Sequence, residues 1–262
     1  MSEKKAEQTP EQKGAITMRS DFEVEIRERG RSKDGEIVYA DRRIFMQLLV
    51  FRAGEDVALD WAFDELEAGL RDTGLGGVIY RDLNDPRGLG LLTFSLDPAD
   101  FIRDLGKIFA KAPGSRLEPR PEFTMIGRSY STGYEQDLEF WLVDRPQRTA
   151  LNPDWPWAIW YPLRRTGSFN QLEPRDRGAI LREHGTIGMA YGDRDLAHDI
   201  RLACHGLDAA DNEFLIGLVG KELHPLSHIV QTMRSTRQTS EFMDGLGPFF
   251  VGYAERRVEP GK

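Results

Sequence analysis

Cysteine is almost absent from this sequence: Cys204 is the single cysteine among 262 residues. One thiol cannot form an intrachain disulfide, and it cannot supply the several thiolates of a zinc or iron–sulfur cluster. A reducing environment is therefore the simplest setting for the chain, and we expect it to be cytoplasmic.

The sequence also lacks a long apolar run and an excess of positive charge. No stretch approaches the roughly 20 apolar residues of a membrane-spanning helix, and the N-terminus lacks the apolar core of a signal peptide. The 35 basic residues are outnumbered by 43 acidic residues, for a net charge of −8. Nucleic acids and anionic membranes bind mainly through positive charge, so neither is expected as the main partner.

Periodicity divides the sequence into a lead-in and two modules. Residues 1–20 are polar and lack periodicity, which predicts a disordered lead-in. Residues 21–150 are predicted to form an N-terminal module with a connector, and residues 151–262 a C-terminal module. An Asp34-Gly35 pair between short alternating runs favours a β-hairpin near the start of the first module.

Each module is predicted to have the order strand, helix, strand, strand, helix, strand. In the first module these elements are residues 43–52, 57–70, 78–80, 89–96, 97–110 and 123–130. In the second module they are residues 157–163, 174–191, 199–204, 213–219, 226–233 and 247–252. The connector is predicted to hold a short helix at residues 135–143, followed by a proline-punctuated loop. The predicted fold class is α+β, with two ferredoxin-like modules forming a dimeric α+β barrel within one chain.

One histidine lies on the apolar stripe of a predicted helix. Ile180, His184, Ile187 and Tyr191 recur at i, i+4, i+7 and i+11, which places them on one helical face. A buried imidazole needs a hydrogen bond, a charge or a metal as its partner. From spacing alone, a hydrogen-bonded core histidine is the more common outcome, and a metal ligand is the alternative.

Four motifs in order give the sequence a family resemblance. They are Tyr161-Pro162-Leu163-Arg164-Arg165, then Glu183-His184-Gly185 with Gly188 and Tyr191, then Gly206-Leu207-Asp208, and last Gly247-Pro248-Phe249-Phe250-Val251-Gly252. Together they resemble the chlorite dismutase family, which also contains the coproheme decarboxylases. The motifs cover residues 157–253, and the N-terminal module fits the family by its order of elements.

The resemblance implies a haem held in the C-terminal module, with His184 as the proximal iron ligand. A helix fixes the direction of an imidazole, and Glu183 or a backbone carbonyl is expected to orient the second ring nitrogen. Haem b is the expected cofactor, with coproheme as an alternative that would be the substrate. The longer family members are similar to this chain in length, which implies a homopentamer.

The predicted strand at residues 199–204 would place a residue across the iron from His184. Asp199 and Arg201 alternate with apolar residues, so both lie on one face of the strand. In chlorite dismutases this distal residue is an arginine, but counting back from the Gly206-Leu207-Asp208 turn gives Asp199 here. Arg201, two residues further on, is the predicted distal group because a guanidinium can hold a small anion. The alternative for Arg201 is a salt bridge with Asp199, and His198 is expected to face away.

Two further residues take roles from the resemblance. Tyr161 aligns with the tyrosine that oxidises the propionates in coproheme decarboxylases, although it could instead pack beside Trp157 and Trp160. Arg165 stands where the family has a lysine that binds a propionate. Arg128 and Tyr130 are weaker candidates for the same contact. His224 and His228 are four residues apart on a predicted helix but lack an acidic third ligand, so no metal site is expected there.

The leading functional hypothesis is a haem b oxidoreductase that acts on peroxide or on a small oxyanion such as chlorite. The first alternative is a coproheme decarboxylase in haem biosynthesis, with Tyr161 in the central role. The second alternative is a protein that binds or senses haem without turnover.

Overall fold

The computed structural model describes residues 23–111 and 116–261. The predicted lead-in, residues 1–20, lies outside the described residues. The predicted hairpin is confirmed: β1 (Glu28–Arg31) and β2 (Ile37–Ala40) pair antiparallel. Gly35 takes a left-handed φ of 84° in the turn between them, a conformation that glycine adopts without steric cost.

The N-terminal module has the predicted order of elements. In chain order they are β3 (Phe45–Ala53), α1 (Leu59–Thr73), β4 (Gly76–Asp82), β5 (Gly88–Ser95), α2 (Asp100–Ala110), β6 (Leu117–Pro119) and β7 (Met125–Arg128). Helix α1 buries Phe63, Leu66 and Leu70 and ends at Gly74, which is left-handed as the sequence predicts for a C-terminal cap. The short β6, which was not predicted, pairs with the end of β3.

The connector is helical further along than predicted. A π-helical turn (Phe140–Asp144) leads directly into α3 (Arg145–Leu151), where a proline-punctuated loop was expected. The prediction was wrong because Pro146 was taken as a helix breaker. Pro146 instead lies in the first turn of α3, directly after the π-helical turn, and the carbonyl of Leu142 four residues before it accepts from Ser129 and Ile44 instead.

The C-terminal module repeats the order with three additions. In chain order its elements are β8 (Trp157–Arg165), α4 (Gly167–Asn170), α5 (Pro174–Gly192), β9 (His198–Ala203), β10 (Phe214–Gly220), α6 (Leu223–Arg234), α7 (Arg237–Phe242), β11 (Met243–Leu246) and β12 (Phe250–Val258). The short elements α4, α7 and β11 were not predicted. The final strand was predicted too early: it follows the cis Gly247-Pro248 bond and runs on to Val258.

The two modules share one closed sheet. The strand order is β10-β9-β7-β3-β5-β4-β12-β8, and β8 pairs again with β10, so eight strands close into a barrel. The modules meet where β12 pairs with β4 and where β7 pairs with β9. This architecture confirms the predicted α+β fold class.

The apolar core has one layer inside the barrel and others outside it. Fully buried side chains that fill the barrel include Met46, Leu48, Tyr80, Trp160, Leu202 and Phe250. Gly217 makes room for the indole: a Cβ there would lie 2.5 Å from the Trp160 ring. Helices α1 and α2 cover one outer face of the barrel, and α6 covers part of the other. In the part of the chain described here, none of the helices is long and apolar enough to cross a membrane.

Candidate functional site

Helix α5 carries the predicted histidine at its centre. The helix begins at Pro174, as predicted, because proline fits the first turn. Ile180 is buried against Phe169 and Phe242. Ile187 and Tyr191 pack against the outer apolar layer of the C-terminal module, so the predicted inward stripe is confirmed.

The imidazole of His184 has one nitrogen engaged and one available. Its Nδ1 lies 3.5 Å from the hydroxyl oxygen of Thr236, a long contact. That hydroxyl donates to the carbonyl of Met233, so it can accept from Nδ1–H. Nε2, which then carries the lone pair, has no hydrogen-bond partner among the described residues.

Glu183 does not have the orienting position expected for it. Its carboxylate accepts a hydrogen bond from the backbone N–H of Arg237 at 3.2 Å. Thr236, the residue before the short helix α7, contacts the ring instead. Nothing in the sequence pattern signalled this contact, because α7 was not predicted.

The surroundings of His184 favour a neutral ring. Burial lowers the pKa of His184, and the positive charge of Arg201 lowers it further against the opposing charges of Glu183 and Asp199. Neutral imidazole is the form that binds a metal. Arg201 and Asp199 both lie on β9, so this strand is close enough to His184 for its charges to change the pKa of the ring.

Open space lies beside His184 on the helix. A Cβ built at Gly185 or at Gly188 would meet no atom within 4 Å. Apolar side chains in this region are also incompletely covered: Met189, next to Gly188, is 63% exposed, and Ile216 and Leu246, in the same apolar cluster as Ile187, are only partly buried. A helix face with room beside it and an uncovered apolar surface next to it can accept a flat apolar group.

Strands β8, β10 and β9 present a row of side chains on the outer face of the barrel. Tyr161 is opposite Ile216, and Ile216 is opposite Arg201, so the three lie side by side. In the next row Asp199 is opposite Leu218. The structure therefore brings together three predicted residues, Tyr161, Asp199 and Arg201, on one sheet face.

Asp199 is held between two arginines. Arg201 Nε lies 2.8 Å from one carboxylate oxygen, and Arg145 Nη2 donates to the other at 2.7 Å. The expected alternative for Arg201, a pair with Asp199, is thus present, yet Arg201 keeps 42% of its side-chain surface exposed. Arg145, at the start of α3, was missed from the sequence because the connector was predicted as a loop there. Its guanidinium lies over the ring of Trp141.

Electrostatics keep this carboxylate charged. Burial acts to raise the pKa of Asp199, but the charges of Arg201 and Arg145 hold the pKa below its ordinary value. Asp199 is therefore an anion at neutral pH.

Tyr161 is buried and stacks on Phe249, with 4.7 Å between the ring centroids. Burial raises the pKa of Tyr161, and the charge of Asp199 adds to the effect. No described residue makes a hydrogen bond to its hydroxyl. Trp160, which was expected beside it, faces the barrel interior instead.

Arg165 is occupied by other contacts. Its Nε donates to Glu213 at 3.0 Å, and its guanidinium lies between the rings of Phe169 and Phe214. Arg128, the weaker candidate, donates to Glu28 at 3.0 Å. Because each guanidinium already faces a carboxylate, a propionate would have to share it.

The remaining candidates lie apart from this row or bond to protein groups. His198 faces away as predicted: it stacks on Trp155 and its Nε2 is 2.8 Å from Asp195. His228 bonds to the hydroxyl of Tyr191. Across residues 23–111 and 116–261, no group of three histidine, cysteine or carboxylate side chains could hold a metal ion.

Comparisons with known proteins agree with the fold described above. The family model described as chlorite dismutase matches residues 132–255. A haem-binding protein from Thermus thermophilus is 19% identical with a TM-score of 0.66, over 81% of this chain and 91% of that one. A mutant chlorite dismutase from Candidatus Nitrospira defluvii is 16% identical with a TM-score of 0.65, over 83% and 93%. These matches support the chlorite dismutase family, through the domain at residues 132–255.

A third solved structure, a putative chlorite dismutase, has the same fold at 16% identity and a TM-score of 0.63, over 82% of this chain and 95% of that one. No curated protein sequence matches the chain. Members of the chlorite dismutase family are haem enzymes. The residues of this chain fit that cofactor, since a neutral histidine with a free Nε2 stands beside open, apolar-lined space.

Proposed function

We propose that this chain binds haem b with Nε2 of His184 as the iron ligand, and that it is an oxidoreductase acting on peroxide or on a small oxyanion such as chlorite. The observation that carries the proposal is the imidazole itself. Its Nδ1 faces Thr236, its pKa is lowered, and its Nε2 has no protein partner among the described residues beside the open face at Gly185 and Gly188.

Each residue of the site has a defined part in this proposal. Bound haem would supply the redox chemistry of its iron. His184 holds that iron, and Thr236 fixes the ring so that Nε2 keeps its lone pair. Arg201 offers guanidinium N–H donors to an oxygen of the oxidant, and Asp199 holds Arg201 in place. Ile216 and Leu218 exclude water from the sheet face between them.

A second candidate function is coproheme decarboxylation, which Tyr161 favours. Its hydroxyl has no hydrogen-bond partner in the described residues, and it lies in the same cross-strand row as Arg201. With hydrogen peroxide as the oxidant, a tyrosine placed there could lose an electron and a proton and then take a hydrogen atom from a propionate, which would restore the tyrosine. A haem-binding or sensing role without turnover would use the same His184 contact and neither Tyr161 nor Arg201.

Reconstitution separates these functions. The protein is loaded with haem b and, separately, with coproheme, and absorption spectra are recorded before hydrogen peroxide or chlorite is added. Oxygen release from chlorite or peroxide consumption supports the oxidoreductase, and loss of mass from coproheme supports the decarboxylase. Binding without either supports the third function.

Two histidine variants test the ligand itself. His184→Ala is expected to lose the histidine-ligated spectrum, because it removes the ring nitrogen that faces the open space. His228→Ala is the matched control. It removes an imidazole on α6 that bonds to Tyr191, and Tyr191 lies on the same helix as His184. A histidine-ligated spectrum that survives in His184→Ala would refute the proposal.

We also propose that the chain is a cytoplasmic homopentamer. The support is its length, which is similar to that of the longer family members, and the single cysteine, which is buried and free. Sedimentation of the haem-loaded protein tests the pentamer: a mass other than five times 29.8 kDa contradicts it.

A further inference from the structure

The distal side of the site contains a carboxylate where a substrate anion would be expected. One carboxylate oxygen of Asp199 accepts a hydrogen bond from Arg145, and the other forms an ion pair with Arg201, whose Nε lies 2.8 Å away. Two arginines placed on either side of an external oxyanion would bind it in a similar way. Here the chain supplies the anion itself.

The negative charges near Arg201 offset its attraction for an external anion. Asp199 neutralises one of the two guanidiniums, and the negative charge of Glu135 also acts on Arg201. An external anion must therefore approach Asp199 or displace it. Two unit charges about 6 Å apart repel strongly at an effective dielectric constant of about 20. Partial exposure of Asp199 reduces the repulsion without removing it.

An uncharged oxidant meets no such repulsion. The terminal Nη groups of Arg201 make no hydrogen bond to described residues, and 42% of the side chain is exposed, so they are available as donors. Asp199 is 39% exposed and can accept a further hydrogen bond. A molecule of hydrogen peroxide has both a donor O–H and acceptor oxygens, so it can contact both residues at once.

We propose that Asp199, held between Arg145 and Arg201, makes this site selective for an uncharged oxidant such as hydrogen peroxide over anions such as chlorite. In this arrangement Arg145 is a positioning residue, which fixes the carboxylate from the connector helix. The inference rests on the proposed function, because it assumes that the iron bound by His184 faces this strand.

Ligand affinity tests the proposal without measuring turnover. The ferric haem b protein is titrated with azide, an anion, and with imidazole, a neutral ligand, and both dissociation constants are read from the absorption spectrum. In Asp199→Asn we expect the Kd of azide to fall about tenfold or more, since the repelling charge is gone. The Kd of imidazole should change less than about threefold, because a neutral ligand has no such charge term.

The matched control is Asp64→Asn. Asp64 on α1 pairs with Arg256 on β12 at 2.8 Å, so the variant makes the same chemical change at an arginine outside the site. In Asp64→Asn the Kd of azide and the Kd of imidazole should both stay unchanged. An azide affinity in Asp199→Asn that stays the same, weakens, or tightens by the same factor as imidazole would overturn the proposal.

Arg145 provides a second test that does not depend on how Asp199→Asn folds. Arg145→Gln removes a cation and leaves Asp199 free to turn, so azide should bind at least about threefold more weakly while the affinity for imidazole stays unchanged. Arg145→Lys keeps the cation and should restore most of the azide affinity. Equal changes in the dissociation constants of azide and imidazole would assign Arg145 a merely structural role and contradict the proposal.

If the native protein fails to bind haem through His184, the proposed function and this inference both fail. If haem binds and only the azide results disagree, the inference alone fails.

Discussion

Glycine at position 188 lowers the stability of the helix on which it lies. Helix α5 has 19 residues, and Gly188 lies in its interior near Gly185. An interior glycine costs about 0.8 to 1 kcal/mol of helix stability relative to alanine. A Cβ at position 188 would meet no atom within 4 Å, so Gly188→Ala introduces no clash in the protein alone. We therefore expect the haem-free variant to be more stable by about 1 kcal/mol, with its melting temperature raised by about 2 to 4 °C.

The same substitution should weaken haem binding. If the porphyrin lies against this face, a methyl group there overpacks the contact by about 1 to 3 kcal/mol. That is a loss of about 5-fold to 150-fold in affinity. Urea unfolding of the haem-free protein measures the first effect, and transfer of haem to a competing haem-binding protein measures the second. If this helix face binds the ligand, Gly188→Ala should raise the stability of the haem-free protein and lower its affinity for haem.

Gly178→Ala is the control on the same helix. Its Cβ would lie 3.4 Å from the flexible end of Arg182, so it gains helix propensity away from His184. This variant should gain similar stability and keep its haem affinity. Destabilisation of haem-free Gly188→Ala, or an unchanged haem affinity in that variant, would refute the argument from open space.

Three further predictions concern the ring contact and the barrel. Thr236→Val should weaken haem binding by about tenfold, because it removes the hydroxyl that orients His184. Loss of a group that orients a metal-binding histidine typically lowers the affinity by about that factor, and transfer of haem to a competing protein measures the loss. Gly217→Ala should lower the free energy of unfolding by about 1 to 3 kcal/mol in urea, since its Cβ would lie 2.5 Å from Trp160. Burial raises the pKa of Tyr80 from 10.0 to about 12, so the unfolded chain loses the phenolic proton first as the pH rises. Stability is therefore lost between these pH values by roughly 1.4 kcal/mol per pH unit, and unfolding of Tyr80→Phe between pH 9 and 11 should show a smaller loss.

Local patterns in the sequence predicted most of the elements. The period of Ile180, His184 and Ile187, together with Pro174 at the helix start, was sufficient to place α5. Alternation on β9 was sufficient to put Asp199 and Arg201 on one face, and their spacing of two residues already indicated a salt bridge as the alternative. These features depend on neighbours in the chain, which a sequence displays directly.

The parts that were missed depend on contacts between distant segments. Arg145 reaches Asp199 across 54 positions, and Thr236 reaches His184 across 52. No periodicity marks such a pair, because neither residue differs locally from a solvent-exposed polar one. The final strand was misplaced for a similar reason: residues 255–257 are charged, and they become part of a strand through pairing with β4.

The pairing of β12 with β4 also has a consequence for the order of events during synthesis. Arg81 on β4 bonds to Glu255 on β12, and these residues are 174 positions apart. At about 5 to 20 residues per second, a ribosome needs roughly 9 to 35 seconds to make the intervening chain. Throughout that interval the β4 edge lacks β12, and Phe249, which packs on Tyr161, has not yet been made. The cell therefore has to protect an open strand edge first, and the pocket is completed for its cofactor only after translation is almost finished.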